Sequence, residues 1–248
     1  MHCYSGYPNR DDEQLTSNIF IEADRMNVIE AIYRRRSIRG FKSDPVSKEI
    51  LARVLEAACR APSAVNSQPW EFIVLTGDIL NKIKDAMVDK VRNREKTNPE
   101  HDSIGWSGEC IFRNRQIELA KELFKRMDIA RDDKKKRALW LERGFRFFEA
   151  PVAIIILTDK SLSDSGPLLD LGATMQTLCL AALHHGLGTC IADQGVSYPD
   201  VLRNIACIPD KKKIIISVAI GYPDASFPAN HAEIPRETLD KNTHWLGF

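Results

Sequence analysis

The run Val152–Leu157 (VAIIIL) offers an apolar side chain at every position. Successive side chains of a strand point to opposite faces, so Pro151–Thr158 is predicted to be a strand buried on both sides. Leu168–His185 is nearly apolar all round, which predicts a central helix or one buried at a subunit interface. A chain of 248 residues is long enough to bury such a core within one large domain.

The remaining segments supply the cover. Residues 1–24 are polar and read as an arm. Met26–Arg36 has helical apolar spacing, and Ser47–Arg60 is a clearer helix, with Ser47 as its cap and Ile50, Leu51, Val54, Leu55 and Ala58 as its buried stripe. Glu71–Thr76 reads as a strand, after which Gly77-Asp78 turns the chain into a helix from about Ile79 to Arg94. Cys110–Arg143 is a long, highly charged helical stretch. Its mixed signs, Asp132 to Arg137 included, predict a solvated face or a hinged pair of helices. Gly186 and Gly188 are expected to end the apolar helix. Thr189–Ala192 is then a short strand, Tyr198–Asn204 a short helix and Ile214–Gly221 the last strand. Residues 222–248 read as an extended tail whose apolar end, Trp245, Leu246 and Phe248, is expected to dock on a partner subunit. Helices and strands mix without a steady βαβ repeat, so the expected architecture is a single α+β domain over residues 1–248.

Charge excludes two broad classes. With 35 basic against 34 acidic side chains the net charge is +1, far from the basic excess of a nucleic-acid-binding surface or a polybasic membrane anchor. No run approaches the ~20 apolar residues of a membrane span. Asp11, Asp12 and Glu13 occupy a start that lacks the apolar segment of a secretory leader. The six cysteines show no CxxC pair and no histidine at metal-ligand spacing. Reduced thiols, a cytoplasmic location and no metal are therefore expected.

Three segments carry chemistry. Arg34-Arg35-Arg36-Ser37-Ile38-Arg39 places four guanidinium groups and a hydroxyl in six residues, which suits either a phosphate clamp or a solvated basic helix end. The loop from Ala61 to Trp70 (APSAVNSQPW) sits between a helix and a strand. Its small residues would let a planar ring approach the backbone, and Ser63, Asn66 and Gln68 offer donors and acceptors; a proline-rich turn is the plainer reading. GLGTCIADQG (186–195) superficially suggests a dinucleotide motif. Its order is helix, glycines, strand, whereas a Rossmann fingerprint needs strand, glycines, helix. Cys190 has no local histidine to activate it as a nucleophile.

Taken together, RRRSIRGF (34–41), PVSKEILARVLEAACRAPSAVNSQPWEFIVL (45–75), FFEAPVAIIIL (147–157), GLGTCIADQG (186–195) and SVAIGYPD (217–224) closely resemble the FMN-dependent nitroreductase family. The ending PANHAEIPRETLDKNTHWLGF (228–248) is most similar to the branch containing nitrobenzoate reductases. The resemblance implies a mixed, mostly antiparallel sheet flanked by helices, in an intertwined homodimer with FMN at the interface. By position, Arg35, Arg36, Ser37 and Arg39 would hold the FMN phosphate and ribityl chain, and Arg236 would reach the same phosphate. Pro62, Ser63, Ala64, Asn66 and Gln68 would line the flavin from the other subunit. The backbone at Ile191, Ala192 and Asp193 would face the N5 and O4 edge of the ring, although related sequences often carry Pro-Gln where Ile191-Ala192 stand.

The implied activity is a two-electron ping-pong reduction of nitroaromatics, quinones or similar small acceptors, with NADH or NADPH as donor and no side chain as general acid or base. The stretch around 110–143 corresponds to a variable lid. Phe112, Phe124 and Trp140, with Phe145, Phe147 and Phe148, are candidates to shape the acceptor pocket; core packing is the plainer reading of each. Arg113, Arg115 and Arg131 could attract a carboxylated aromatic; a solvent-facing side chain is the plainer reading of each. A reductive dehalogenase of the same fold and a flavin-sequestering protein are the rival readings.

Overall fold

The computed structural model describes residues 26–102, 106 and 108–248. The expected arm over residues 1–24 lies outside them. Among the described residues four strands form one sheet: β1 (Glu71–Thr76), β2 (Val152–Asp159), β3 (Gly188–Ala192) and β4 (Lys212–Gly221), in the order β1-β2-β4-β3. Every ladder is antiparallel, and a single parallel bridge joins Ser37 to Thr189 at the outer side of β3.

The apolar run of β2 is explained by two cores. Val152, Ile154 and Ile156 face one of them, while Ala153, Ile155 and Leu157 face the other. β4 shares both through an irregularity. Ile156 pairs with Ile216 but Leu157 pairs with Ile214, leaving Ile215 as a bulge. That extra residue shifts the parity, so that Ile214 lies in one core and Ile216, Val218 and Ile220 in the other.

Helices α2 (Lys48–Ala58) and α6 (Leu168–His184) cover the first face, burying Leu51, Val54 and Ala58 against Leu171, Leu178 and Ala182. Ser47 caps α2 by accepting from the Ile50 N–H at 3.3 Å. Helices α3 (Gly77–Arg92) and α7 (Pro199–Ala206) cover the second face through Leu80, Ile83 and Met87 with Val201 and Leu202. Gly77 adopts φ +57°, which lets β1 pass directly into α3.

The charged stretch breaks into α4 (Ile111–Arg126) and α5 (Lys134–Phe145), the hinged pair that its composition allowed. Leu119 and Leu123 of α4, Met127 just after it and Trp140 of α5 pack with Phe227, Ala229 and Ala232 of the tail. The tail is less extended than expected, as it includes a tight turn at Pro228–His231 and the short helix α8 (Leu239–Asn242). Gly186 ends α6 with φ +71°, but Gly188 is the first residue of β3 rather than part of a cap. A side chain at Gly188 would collide with Ile38 and Pro223, so close packing explains this glycine.

Helix α1 (Val28–Arg34) packs against α6 yet buries none of its own residues, and Val28, Ile29, Ile32 and Tyr33 are exposed. Leu169 on α6 is 85% exposed.

Candidate active site

After α1 the chain runs beside β3, where an isolated parallel bridge pairs Ser37 with Thr189. The Ile38 N–H donates to the Thr189 carbonyl at 2.9 Å, and Ile38 is buried. This pairing joins the first and third sequence segments, setting Arg35, Ser37 and Arg39 along the outer edge of β3. Beyond Thr189 no strand pairs with that edge among the described residues, so the backbone at Ile191 and Ala192 lies at an open sheet margin. Asp193 begins a tight turn, its carbonyl accepting from the Val196 N–H at 3.0 Å and the Ser197 hydroxyl at 3.2 Å. A side chain at Gly195 would strike Phe147 and the Ser217 hydroxyl, so this turn is seated directly on the core.

The electrostatics of the arginine segment are unusual for a chain with balanced charge. Arg34 pairs with Glu30 at 2.6 Å. Among the described residues, no carboxylate lies within ion-pair distance of Arg35, Arg36 or Arg39. All three are half-buried. Arg36 donates to the Asn230 carbonyl at 3.4 Å and Arg39 to the Ser37 carbonyl at 3.3 Å, both weak contacts. Desolvation pulls the Arg36 guanidinium below its ordinary pKa, with the nearby Glu233 opposing the change. Half-buried cations without a counter-charge are costly unless an anion is bound there. This cluster therefore fits a phosphate.

Cys190 lies beneath the same segment. Burial pushes its thiol up to about 11, against the opposing pull of Arg39 and Arg35. It is a protonated core residue at neutral pH, in keeping with its dismissal as a nucleophile.

The second segment stands apart. Ala64, Val65 and Asn66 form one tight turn in which Val65, Asn66 and Gln68 all have positive φ. The Gln68 N–H donates to the Ser63 hydroxyl at 3.0 Å, and Asp170 of α6 accepts from the Ala64 N–H at 3.2 Å. Among the described residues, no hydrogen bond or ion pair links Pro62, Ser63, Ala64, Asn66 or Gln68 to the arginine segment. Within one chain the first and third segments meet, and the second does not join them.

Arg236 is held locally, donating to the Ile234 carbonyl at 3.0 Å. It lines a cleft of about 910 Å³ between α4 and the tail, together with Arg115, Glu118, Glu122, Glu233 and Glu237. The lid aromatics are dispersed. Phe112 is exposed beside Trp106, 6.1 Å away between ring centroids, and Phe124 lies under Arg137 at 5.2 Å. Trp140 packs in the cluster that joins the lid to the tail. Phe145, Phe147 and Phe148 are core residues rather than pocket walls, because the left-handed turn at Phe147–Glu149 folds them inward. Arg115 is neutralised by Glu237 at 3.0 Å.

Sequence reasoning passed over Asn230, Arg143 and Asp170. Asn230 is 2% exposed and bonded to Arg39 and Gly40, whereas Arg143 was indistinguishable from its charged neighbours on the lid. The one available signal was the polar Asn230 within an otherwise small and apolar PAN stretch.

The nitroreductase family model matches residues 32–222. A nitrobenzene nitroreductase of Ectopseudomonas oleovorans is 33% identical over 218 residues, covering 88% of this chain and 96% of the relative. A 4-nitrobenzoate reductase of Pseudomonas putida is 29% identical, covering 86% and 93%. The crystal structure of the FMN and NADPH-dependent nitroreductase NfnB from sphigopyxis sp. strain HMH superposes with a TM-score of 0.85 at 32% identity, covering 90% of this chain and all of that one. The arginine segment and the β3 edge lie inside the matched region, and the chain belongs to the nitroreductase family.

Proposed function

We propose that this chain is the subunit of a homodimeric, FMN-dependent NAD(P)H oxidoreductase that reduces nitroaromatics, quinones or similar small acceptors. The observation that carries this reading is the set of half-buried guanidinium groups at Arg35, Arg36 and Arg39, without an ion-pair partner among the described residues and bridged to the open edge of β3. FMN, when bound, supplies the two-electron chemistry between nicotinamide and acceptor. The chain's own groups bind and orient. Arg35, Arg36 and Arg39 neutralise the phosphate and Ser37 offers its hydroxyl to the phosphate end. The backbone at Ile191–Asp193 presents hydrogen-bonding groups along the ring edge, in fixed positions that need no rearrangement. Arg236 serves the same phosphate once the tail is settled against a partner.

The second subunit is inferred from surface chemistry. Val28, Ile29, Ile32 and Tyr33 of α1, Leu169 of α6 and Val65 form apolar surface that a lone chain leaves in water. Pairing two copies there would cover it, and would bring Pro62, Ser63, Ala64, Asn66 and Gln68 to the partner's flavin. Trp245, Leu246 and Phe248 are also exposed, and dock on the partner in this reading. Phe112, Phe124 and Trp140 shape the acceptor side from the lid. No helix among the described residues is long and apolar enough to cross a membrane. We place the enzyme in the cytoplasm on its unpatterned cysteines.

Anaerobic stopped-flow absorbance tests the reading. The purified protein should be yellow, bleach with NADH or NADPH, and recolour rapidly with 4-nitrobenzoate. A bound flavin that neither nucleotide bleaches would sink the reductase and favour flavin storage. Removing the Arg39 charge by Arg39→Ala should weaken FMN binding about 10- to 100-fold, the range of one charge-assisted hydrogen bond.

A further inference from the structure

Every backbone polar atom of Arg39 and Gly40 is held by a residue far away in sequence. The N–H groups of Arg39 and Gly40 both donate to Oδ1 of Asn230, at 2.7 and 3.1 Å. Nδ2 of Asn230 donates to the Gly40 carbonyl at 2.7 Å and to the Asp224 carbonyl at 2.9 Å. The Arg39 carbonyl accepts from Nη2 of Arg143 at 2.9 Å, and the same nitrogen reaches the Phe148 carbonyl at 3.3 Å. The Arg143 guanidinium lies over the Phe227 ring, 4.5 Å from its centroid. Phe227 in turn fills the space that a side chain at Gly40 would need.

We propose that Asn230 and Arg143 are positioning residues that aim Arg39 at the flavin phosphate, so that tail and lid together set phosphate affinity. The inference rests on the phosphate reading of Arg39. Its physical basis is that, among the described residues, the one hydrogen bond of the Arg39 side chain is a weak one, to the Ser37 carbonyl at 3.3 Å. With no side-chain hydrogen-bond partner among the described residues to orient it, the guanidinium takes its direction from its backbone. Asn230 can hold both adjacent N–H groups and the Gly40 carbonyl only because an amide carries an acceptor and a donor side by side. An aspartate would keep the acceptor but face two carbonyls without a donor. Arg143 reaches Arg39 from α5, and through it the lid helix is tied to the anion site.

FMN and riboflavin differ by the phosphate alone, so their affinity ratio isolates this role from general loss of structure. Full-length protein stripped of flavin would be titrated with each, by fluorescence quenching, as wild type, Asn230→Asp, Arg143→Gln and Arg143→Lys. Asn230→Asp and Arg143→Gln should each weaken FMN about tenfold, one to two hydrogen bonds' worth, and leave riboflavin within about twofold. Arg143→Lys, keeping one donor and the charge, should recover part of the loss. Equal weakening of both flavins, or no change in either, would overturn the proposal. Arg143 is half-buried on a helix, so its two variants decide the matter if Asn230→Asp does not fold. A wild-type protein that binds FMN no better than riboflavin would instead overturn the phosphate reading, and the positioning role with it.

Discussion

Residues 35–40 and 62–68 are both dense in hydrogen-bonding groups, yet the chain treats them in opposite ways. The first is pinned from outside: β3, the tail and the lid each contribute a bond to its backbone. The second is held mostly by itself, through Ser63, Asn66 and Gln68, with Asp170 as its tether to α6. It also carries strain, for Val65 is a β-branched residue at φ 48°. Val65 is 99% exposed, so its conformation wins no burial within the chain. Strain of this kind persists where surroundings over-determine it, and among the described residues nothing covers Val65. In the proposed dimer, one half of the site would be held within each subunit and the other half completed by the second copy.

The largest expected effect comes from removing that second copy. Leu169→Glu would place a carboxylate in the proposed subunit interface without a partner. An uncompensated buried charge costs on the order of 4 kcal/mol, about a thousandfold in dimer dissociation. Sedimentation velocity at micromolar protein should show monomer, and bound flavin should fall with it. A Leu169→Glu protein that stays dimeric would put the interface elsewhere and dissolve the contrast between the segments.

A smaller effect should appear on the pinned side, where the chain is already complete. Gly40→Ala drives a methyl into the Phe227 ring, which is itself fixed by the Arg143 guanidinium. Overpacking of this kind costs about 2 kcal/mol, or roughly 6 °C in melting temperature for a domain of this size. Calorimetry should find the loss with the dimer intact. An unchanged melting temperature would mean that the Phe227 ring moves aside freely, and the tail would no longer count as a rigid support.

What the sequence made legible follows the same division. Val152–Leu157 announced a doubly covered strand because periodicity is local, and both cores then appeared on its two parities. The Ile215 bulge was invisible, since it arises from register between strands rather than from either strand alone. The arginine segment and the β3 edge were found as motifs, but their junction at Ile38 and Thr189 is a long-range pairing. Phe145, Phe147 and Phe148 take the plainer of their two sequence readings, core packing, while the left-handed turn at Phe147–Glu149 that seats two of them is a conformation that aromatic and acidic residue types do not advertise. Asn230 and Arg143 act on backbone atoms, and a backbone contact places no requirement on the residue it touches. No pattern at 39–40 could therefore point to them.

The smallest effect is also the most discriminating. Asp170→Asn weakens the tether on the Ala64 N–H, where both carboxylate oxygens approach at 3.2 and 3.3 Å. Those are long, solvent-exposed bonds, so the loop should lose only about 1 kcal/mol of restraint, about fivefold in FMN affinity for the dimer. If residues 62–68 serve only the partner's flavin, the same substitution in a Leu169→Glu monomer should change FMN affinity not at all. Asn230→Asp, which acts within its own subunit, should keep its full tenfold effect in that background. The two double mutants thus separate intrasubunit from intersubunit support by whether their effects add. A fivefold effect of Asp170→Asn that survives in the monomer would show that the loop reaches the flavin of its own chain. The two segments would then differ in rigidity alone.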